Sequence, residues 1–90
     1  MTRRIELRPG TYRDSVTLME ISQAVATAPG VTAAIVAMAT PLNLDLYERL
    51  GFDPQAIAAA TPNDLMVAVE AGDEDLLAGA LAVLDARLSA

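Results

Sequence analysis

The sequence contains no cysteine, no histidine and no lysine. Without cysteine there is no disulfide frame and no thiol nucleophile. Without histidine the chain lacks the side chain that titrates near neutrality and the commonest transition-metal ligand. Without lysine it has no amine for Schiff-base chemistry. Tryptophan is absent too, and aromatic residues make up only 3% of the chain. No apolar run reaches the roughly 18 residues that a membrane-spanning helix needs. The start, MTRRIELRPG, lacks the apolar stretch of a signal peptide. Membrane is therefore not an expected partner, and the cytoplasm is the expected compartment.

What remains is a short and unusually apolar chain of 90 residues, 53% of them hydrophobic. Its length corresponds to a single domain, residues 1–90. A chain of this size buries only about 60–65% of its unfolded surface. The core must be built from alanine and aliphatic residues that bury little area each, so association with another subunit would help to stabilise it. The net charge of −6 sets the chain against nucleic acid, which is bound through clustered lysine and arginine. The charge is polarised. Arg3, Arg4, Arg8 and Arg13 open the chain, whereas Asp53, Asp64, Glu70, Asp73, Glu74, Asp75 and Asp85 crowd the second half. The arginines read either as a solvated strand edge or as a docking patch for an acidic partner or anionic ligand.

Residues 3–8, RRIELR, alternate between charged and apolar, with Ile5 and Leu7 on one face: a half-buried strand. Pro9-Gly10 ends it. From Asp14 the spacing changes. Leu18, Ile21, Val25 and Ala28 recur at helical steps, and the helix stops at Pro29-Gly30. Residues 31–39, VTAAIVAMA, form a nearly unbroken apolar run, as expected of a strand that is covered on both faces or central in a sheet. Thr40-Pro41 and Asp53-Pro54 each offer a cap followed by proline at the first helical position. They introduce two short helices, the first marked by Leu42, Leu46 and Leu50. LMVAVEA, residues 65–71, reads as a third strand. GDED then starts a last helix lined by Leu77, Ala80, Leu81, Leu84 and Leu88.

The expected fold class is α+β: a two-layer α/β sandwich whose three-stranded sheet is of split βαβ (ferredoxin-like) type, with helices on one face. The third strand is expected to pair antiparallel between the first two; an all-parallel sheet is the alternative. Either arrangement leaves an edge strand open to pairing with another chain.

The candidate chemistry is sparse. Asp14-Ser15 suggests a nucleophile, but the chain has no histidine or lysine to activate a serine. A helix cap, or an anion or partner site at the helix start, remains. Three turns, Arg13-Asp14-Ser15, Thr40-Pro41-Asn43 and Thr61-Pro62-Asn63-Asp64, sit at the ends of expected elements; they read either as independent turns needed only for folding or, if they converge, as a polar rim for a ligand or partner. The acidic GDEDL stretch lacks the ligand spacing of a calcium loop, and the scattered glycines form no phosphate loop. No catalytic residue, no metal ligand and no cofactor is assigned.

Three blocks resemble the N-terminal region of FdrA-type proteins: DSVTLMEIS (residues 14–22), GVTAAIVAMATPLN (30–43) and ATPNDLMVAV (60–69). Their pattern runs D-S-V-x-L-M-x-I-S, then V-M-M-G-T-P-x-N, then A-T-P-N-D-L. Ala39 stands where that pattern has glycine, which argues against a close backbone approach to a ligand at this turn. The resemblance implies a stand-alone version of a module that precedes CoA-ligase-like domains in acyl-CoA synthetase-like proteins linked to carbamoyl transfer. It carries over no catalytic site, because the ligase chemistry relies on a histidine and a nucleotide- or CoA-binding domain.

The expectation is thus a non-catalytic accessory subunit. It would associate with a larger FdrA-like protein or with itself as a homo- or hetero-oligomer. The alternative is a regulatory module that binds a carboxylate or ureide through its arginines. An enzyme acting by itself is the reading these residues support least, since only carboxylates, hydroxyls, Tyr12 and Tyr47 remain as acids or bases.

Overall fold

The strand order is β1-β3-β2, with the last strand in the middle. In the computed structural model, which describes residues 1–89, the elements are β1 (Thr2–Arg8), α1 (Ser15–Ala26), β2 (Val31–Met38), α2 (Pro41–Arg49), a 3₁₀ turn (Pro54–Ile57), β3 (Leu65–Ala71) and α3 (Glu74–Ser89). Both outer strands run antiparallel to β3. Arg8 and Met38 each lie opposite Leu65, and Thr2 and Val31 each lie opposite Ala71. β1 and β2 are therefore parallel to each other and joined through α1, the split βαβ arrangement expected from the sequence.

The centre of the sheet explains its composition. Leu65 to Val69 are all buried. Leu65, Val67, Val69 and Ala71 face the layer formed by α1 and α3, where Leu18, Ile21, Val25, Leu77, Leu84 and Leu88 complete one core. Met66 and Ala68 face the other way. There a second, smaller cluster is built from Ile35, Ala39, Tyr47, Phe52 and Ile57, with Ile5 and Leu7 packed against it. The two long helices thus share one face, and the segment between β2 and β3 covers the other. This cover is why the apolar run of residues 31–39 shows no polar alternation although β2 is an edge strand.

The local signals explain the boundaries. Asp14 caps α1: its carboxylate accepts from the Thr17 amide at 3.1 Å and from the Thr17 hydroxyl. Thr40 caps α2 by accepting from the Asn43 amide at 3.4 Å, with Pro41 at the start of the helix. Asp53 accepts from the Gln55 amide at 2.9 Å, and Asp73 from the Leu76 amide at 2.8 Å. Gly30 turns the chain into β2 at φ +77, with the Leu76 side chain packed against its α-carbon.

α2 is oriented differently from the leucine spacing. Its fully buried residue is Tyr47, whose ring stacks on Phe52 at 5.4 Å between centroids. Its hydroxyl donates to the Asp53 carbonyl at 2.6 Å. Leu42, Leu46 and Leu50 lie on the outside, Leu42 being 70% exposed. One large aromatic with a polar handle buries more apolar area than an aliphatic on so short a helix, and it turns the helix accordingly.

Candidate functional site

α1 lies over one face of β2 and α2 begins on the other. The β2 edge is left at the bottom of an open groove of about 620 Å³. Ile35, Val36, Ala37 and Met38 form the floor. Leu18, Met19, Ser22, Gln23 and Ala26 form the α1 wall. Thr40, Asn43 and Leu46 form the α2 wall, and Tyr12, Arg13 and Ser15 close one end. Much of this surface is apolar and in contact with solvent: Tyr12, Met19 and Leu46 are exposed, Met19 by 67%.

Two of the three turns picked out in the sequence meet here, since Arg13, Ser15, Thr40 and Asn43 all line the groove. Asp14 stands beside them, but its carboxylate is engaged in the α1 cap. Pro41 occupies the first turn of α2 without lining the groove. Thr61, Pro62, Asn63 and Asp64 are not among the lining residues. Their turn closes on itself: the Thr61 amide donates to the Asp64 carboxylate at 3.0 Å and the Asp64 amide to the Thr61 carbonyl at 2.9 Å. Its hydrogen bond to the β2 end comes from the Ala39 amide, which donates to the Asp64 carbonyl at 3.0 Å.

The sequence reads Met19 and Met38 as core-filling residues, yet both line the groove and Met19 stands exposed; the rest of the α1 wall and of the floor was not assigned to a site. The available signal was the stretch from Val31 to Met38, which has no charged residue. The opposite edge of the sheet, β1, carries Arg3, Arg4, Glu6 and Arg8.

Arg3 and Arg8 on that edge, and Arg13 beyond it, have internal partners. Arg3 donates to Glu70 at 2.6 Å and to the Gly51 carbonyl at 2.8 Å, and it lies 5.4 Å from the centre of the Phe52 ring. Arg8 bridges Glu6 at 3.2 Å and Asp85 at 3.0 Å. Arg13 donates to the carbonyls of Tyr12 at 2.8 Å and Leu88 at 3.1 Å. Arg4 has only a long approach to Glu6, 3.9 Å. Two carboxylates are held below their ordinary range: Asp14, by the Thr17 hydroxyl and then its amide, and Glu70, by the Thr32 hydroxyl and then Arg3. Burial, aided by the Asp53 charge, pushes the Tyr47 phenol up. These shifts belong to caps and ion pairs. The groove itself offers hydroxyls, two side-chain amides and an apolar floor. That inventory suits binding and contains no acid–base pair.

The profile of a family described as AllF, heavy metal-associated domain, matches residues 1–90 of this chain. The uncharacterized protein YahF of Escherichia coli (strain K12) is 38% identical over 81 residues, 86% of this chain. The chain spans only 16% of the length of YahF. No solved structure matches. The residues present do not fit the metal in the family's description. Thiolate and imidazole, the usual heavy-metal ligands, are missing because this chain has neither cysteine nor histidine, and its methionines offer only the weaker thioether donor. Among the described residues, no three carboxylates converge as a substitute.

Proposed function

The chain belongs to the AllF heavy metal-associated domain family, and on that premise we propose that it works as a non-catalytic accessory module of an FdrA-like acyl-CoA synthetase or carbamoyltransferase system, acting through protein–protein contact. The observation that carries this reading is the β2 edge. It is an uncharged strand margin between two helices whose outward apolar side chains, Met19 and Leu46, have no intramolecular core to enter. A strand edge with main-chain groups left open is a template for pairing with another chain. The carboxylates and arginines resolved in hydrogen bonds serve caps and ion pairs, and they support contact and shape in preference to bond-making.

The family's metal has no part in this role, given the donor set. The small-molecule alternative is weakened, because Arg3 and Arg8 are already paired with Glu70 and Asp85 and only Arg13 of the four N-terminal arginines reaches the groove.

Co-expression with a larger FdrA-like protein from which the corresponding region has been deleted tests the reading. Co-purification as a complex, confirmed by native mass, is expected. A chain that stays monomeric and separates from that protein overturns it.

A further inference from the structure

We propose that the β2-edge groove receives an extended, uncharged segment of the partner polypeptide, which adds as a fourth strand beside β2. This deepens the accessory-module reading and rests on it.

The first support is the backbone at the floor. The Val36 amide points away from β3, toward the Ser22 hydroxyl at 3.3 Å. In an antiparallel ladder the main-chain groups alternate in direction. The Val36 carbonyl and both main-chain groups of Met38 therefore face outward as well. The Met38 carbonyl accepts from the Asn43 side-chain amide at 2.9 Å and from the Thr40 amide at 2.8 Å. The Val36 carbonyl and the Met38 amide have no such partner among the described residues. Yet Val36 is only 2% exposed and Met38 9%. Main-chain groups in such a recess are ordinarily paired. An acceptor and a donor two residues apart along an extended chain match the complementary groups of another strand. A helix satisfies its own main chain and would leave both groups unpaired.

The second support is the chemistry of the walls. A strand lying in the slot sends alternate side chains toward α1 and α2. It meets Leu18, Met19 and Ala26 on one side, and Leu46 and the Asn43 amide on the other. Among the residues that line the groove Arg13 alone is charged, and its guanidinium is held by two carbonyls. Away from Arg13, which lies at one end, nothing in the slot compensates a buried charge, so the residues inserted over the floor are uncharged. The floor, residues 35–38, accommodates about 13 Å of strand, or about four residues. A second copy of this chain fits poorly. Its β1 edge carries Arg3, Arg4, Glu6 and Arg8, and its β2 edge lies at the bottom of its own groove, whereas paired strands must approach to about 4.8 Å.

The test uses the full 90-residue chain and a display library of random dodecapeptides, followed by synthetic versions of the enriched sequences. The expected result is enrichment of peptides with an uncharged, β-branched core. Their titration should shift the amide resonances of residues 34–38 and slow hydrogen exchange at Met38. N-methylation of the peptide amide that meets the Val36 carbonyl should weaken binding about tenfold. Met19→Glu, at an exposed wall position, should weaken it by a similar factor while leaving the rest of the amide spectrum in place.

The proposal is overturned if no peptide enriches, if the enriched peptides are helical or charged, if they bind away from the groove, or if N-methylation leaves affinity unchanged. The last outcome would mean that side-chain contacts, and not strand pairing, hold the peptide. Co-purification with the larger partner despite these failures would sink the strand proposal and leave the accessory reading standing. Peptide binding without co-purification would do the reverse.

Discussion

The guanidinium of Arg13 donates to the carbonyl of Leu88 at 3.1 Å, so the residue that precedes the α1 cap also closes the last turn of α3. The bond joins the two helices that cover one face of the sheet. It satisfies a terminal helix carbonyl that has no partner within its own helix. Replacing Arg13 with alanine is expected to lower stability by about 1 kcal/mol. For a domain of this size that corresponds to a fall of about 4–8 °C in melting temperature. Thermal unfolding checks it. An unchanged melting temperature combined with weaker partner binding would show that Arg13 serves the groove and not the helix pair.

The acid limb of the stability curve should report Asp14 and Glu70. Both carboxylates are held below their ordinary range in the folded chain, chiefly by the hydroxyls of Thr17 and Thr32. A depressed folded pKa gives stability that is present above the unfolded value and is lost as pH falls through the folded value. The double variant Asp14→Asn, Glu70→Gln should therefore show a flatter loss of stability below about pH 4, the ordinary carboxylate range. Urea midpoints measured at falling pH decide this. Parallel curves for the variant and the parent chain would refute it.

Tyr47 acts at the other end of the pH scale. Its hydroxyl donates to the Asp53 carbonyl at 2.6 Å, and burial raises its pKa. A raised folded pKa gives stability that is complete below the unfolded value, about 10, and is lost as pH climbs through the folded one. Tyr47→Phe should cost about 1 kcal/mol at neutral pH through the lost hydrogen bond and should show less alkaline destabilisation than the parent. Equal stability of the two at neutral pH would contradict the bond's contribution.

Two glycines should respond in opposite directions to alanine. Gly30 sits at φ +77, and an added Cβ would collide with the Leu76 side chain. Leu76 can rotate away, but the left-handed backbone strain of about 1–2 kcal/mol remains. Gly79 is an exposed position inside α3 where an added methyl group would meet nothing within 4 Å. Gly79→Ala should stabilise by about 0.5–1 kcal/mol. Denaturant titration of both variants checks the pair, and a stabilising Gly30→Ala would overturn the account of that turn.

Much of this fold was legible in the sequence because single residues carry unambiguous local chemistry. Asp14, Thr40 and Asp53 each cap the element expected after them, and the apolar run of residues 65–71 after a turn identified the strand that lies between the other two. The direction α2 faces was not legible. Leu42, Leu46 and Leu50 have the spacing of a buried stripe, but Tyr47 outcompetes them for the small second core, and no local rule states that preference. The groove was half legible. Arg13, Ser15, Thr40 and Asn43 were marked by turn chemistry, whereas the α1 wall and the floor became a site only once β2 was placed at the edge, which depends on strand order. The Thr61–Asp64 turn looked equivalent to the other two in composition. Its hydrogen bonds close inward, so it supports the end of β2 without joining the groove.

The central claim is that this chain supplies contact surface while the bond-making groups lie in a larger polypeptide. The most direct measurement is turnover of ureide and acyl-CoA substrates by the purified 90-residue chain, by the larger FdrA-like protein lacking this region, and by the two combined. The account predicts no turnover by the chain alone and a gain on mixing that Met19→Glu reduces. Turnover by the chain alone, abolished by changing Asp14, would contradict it.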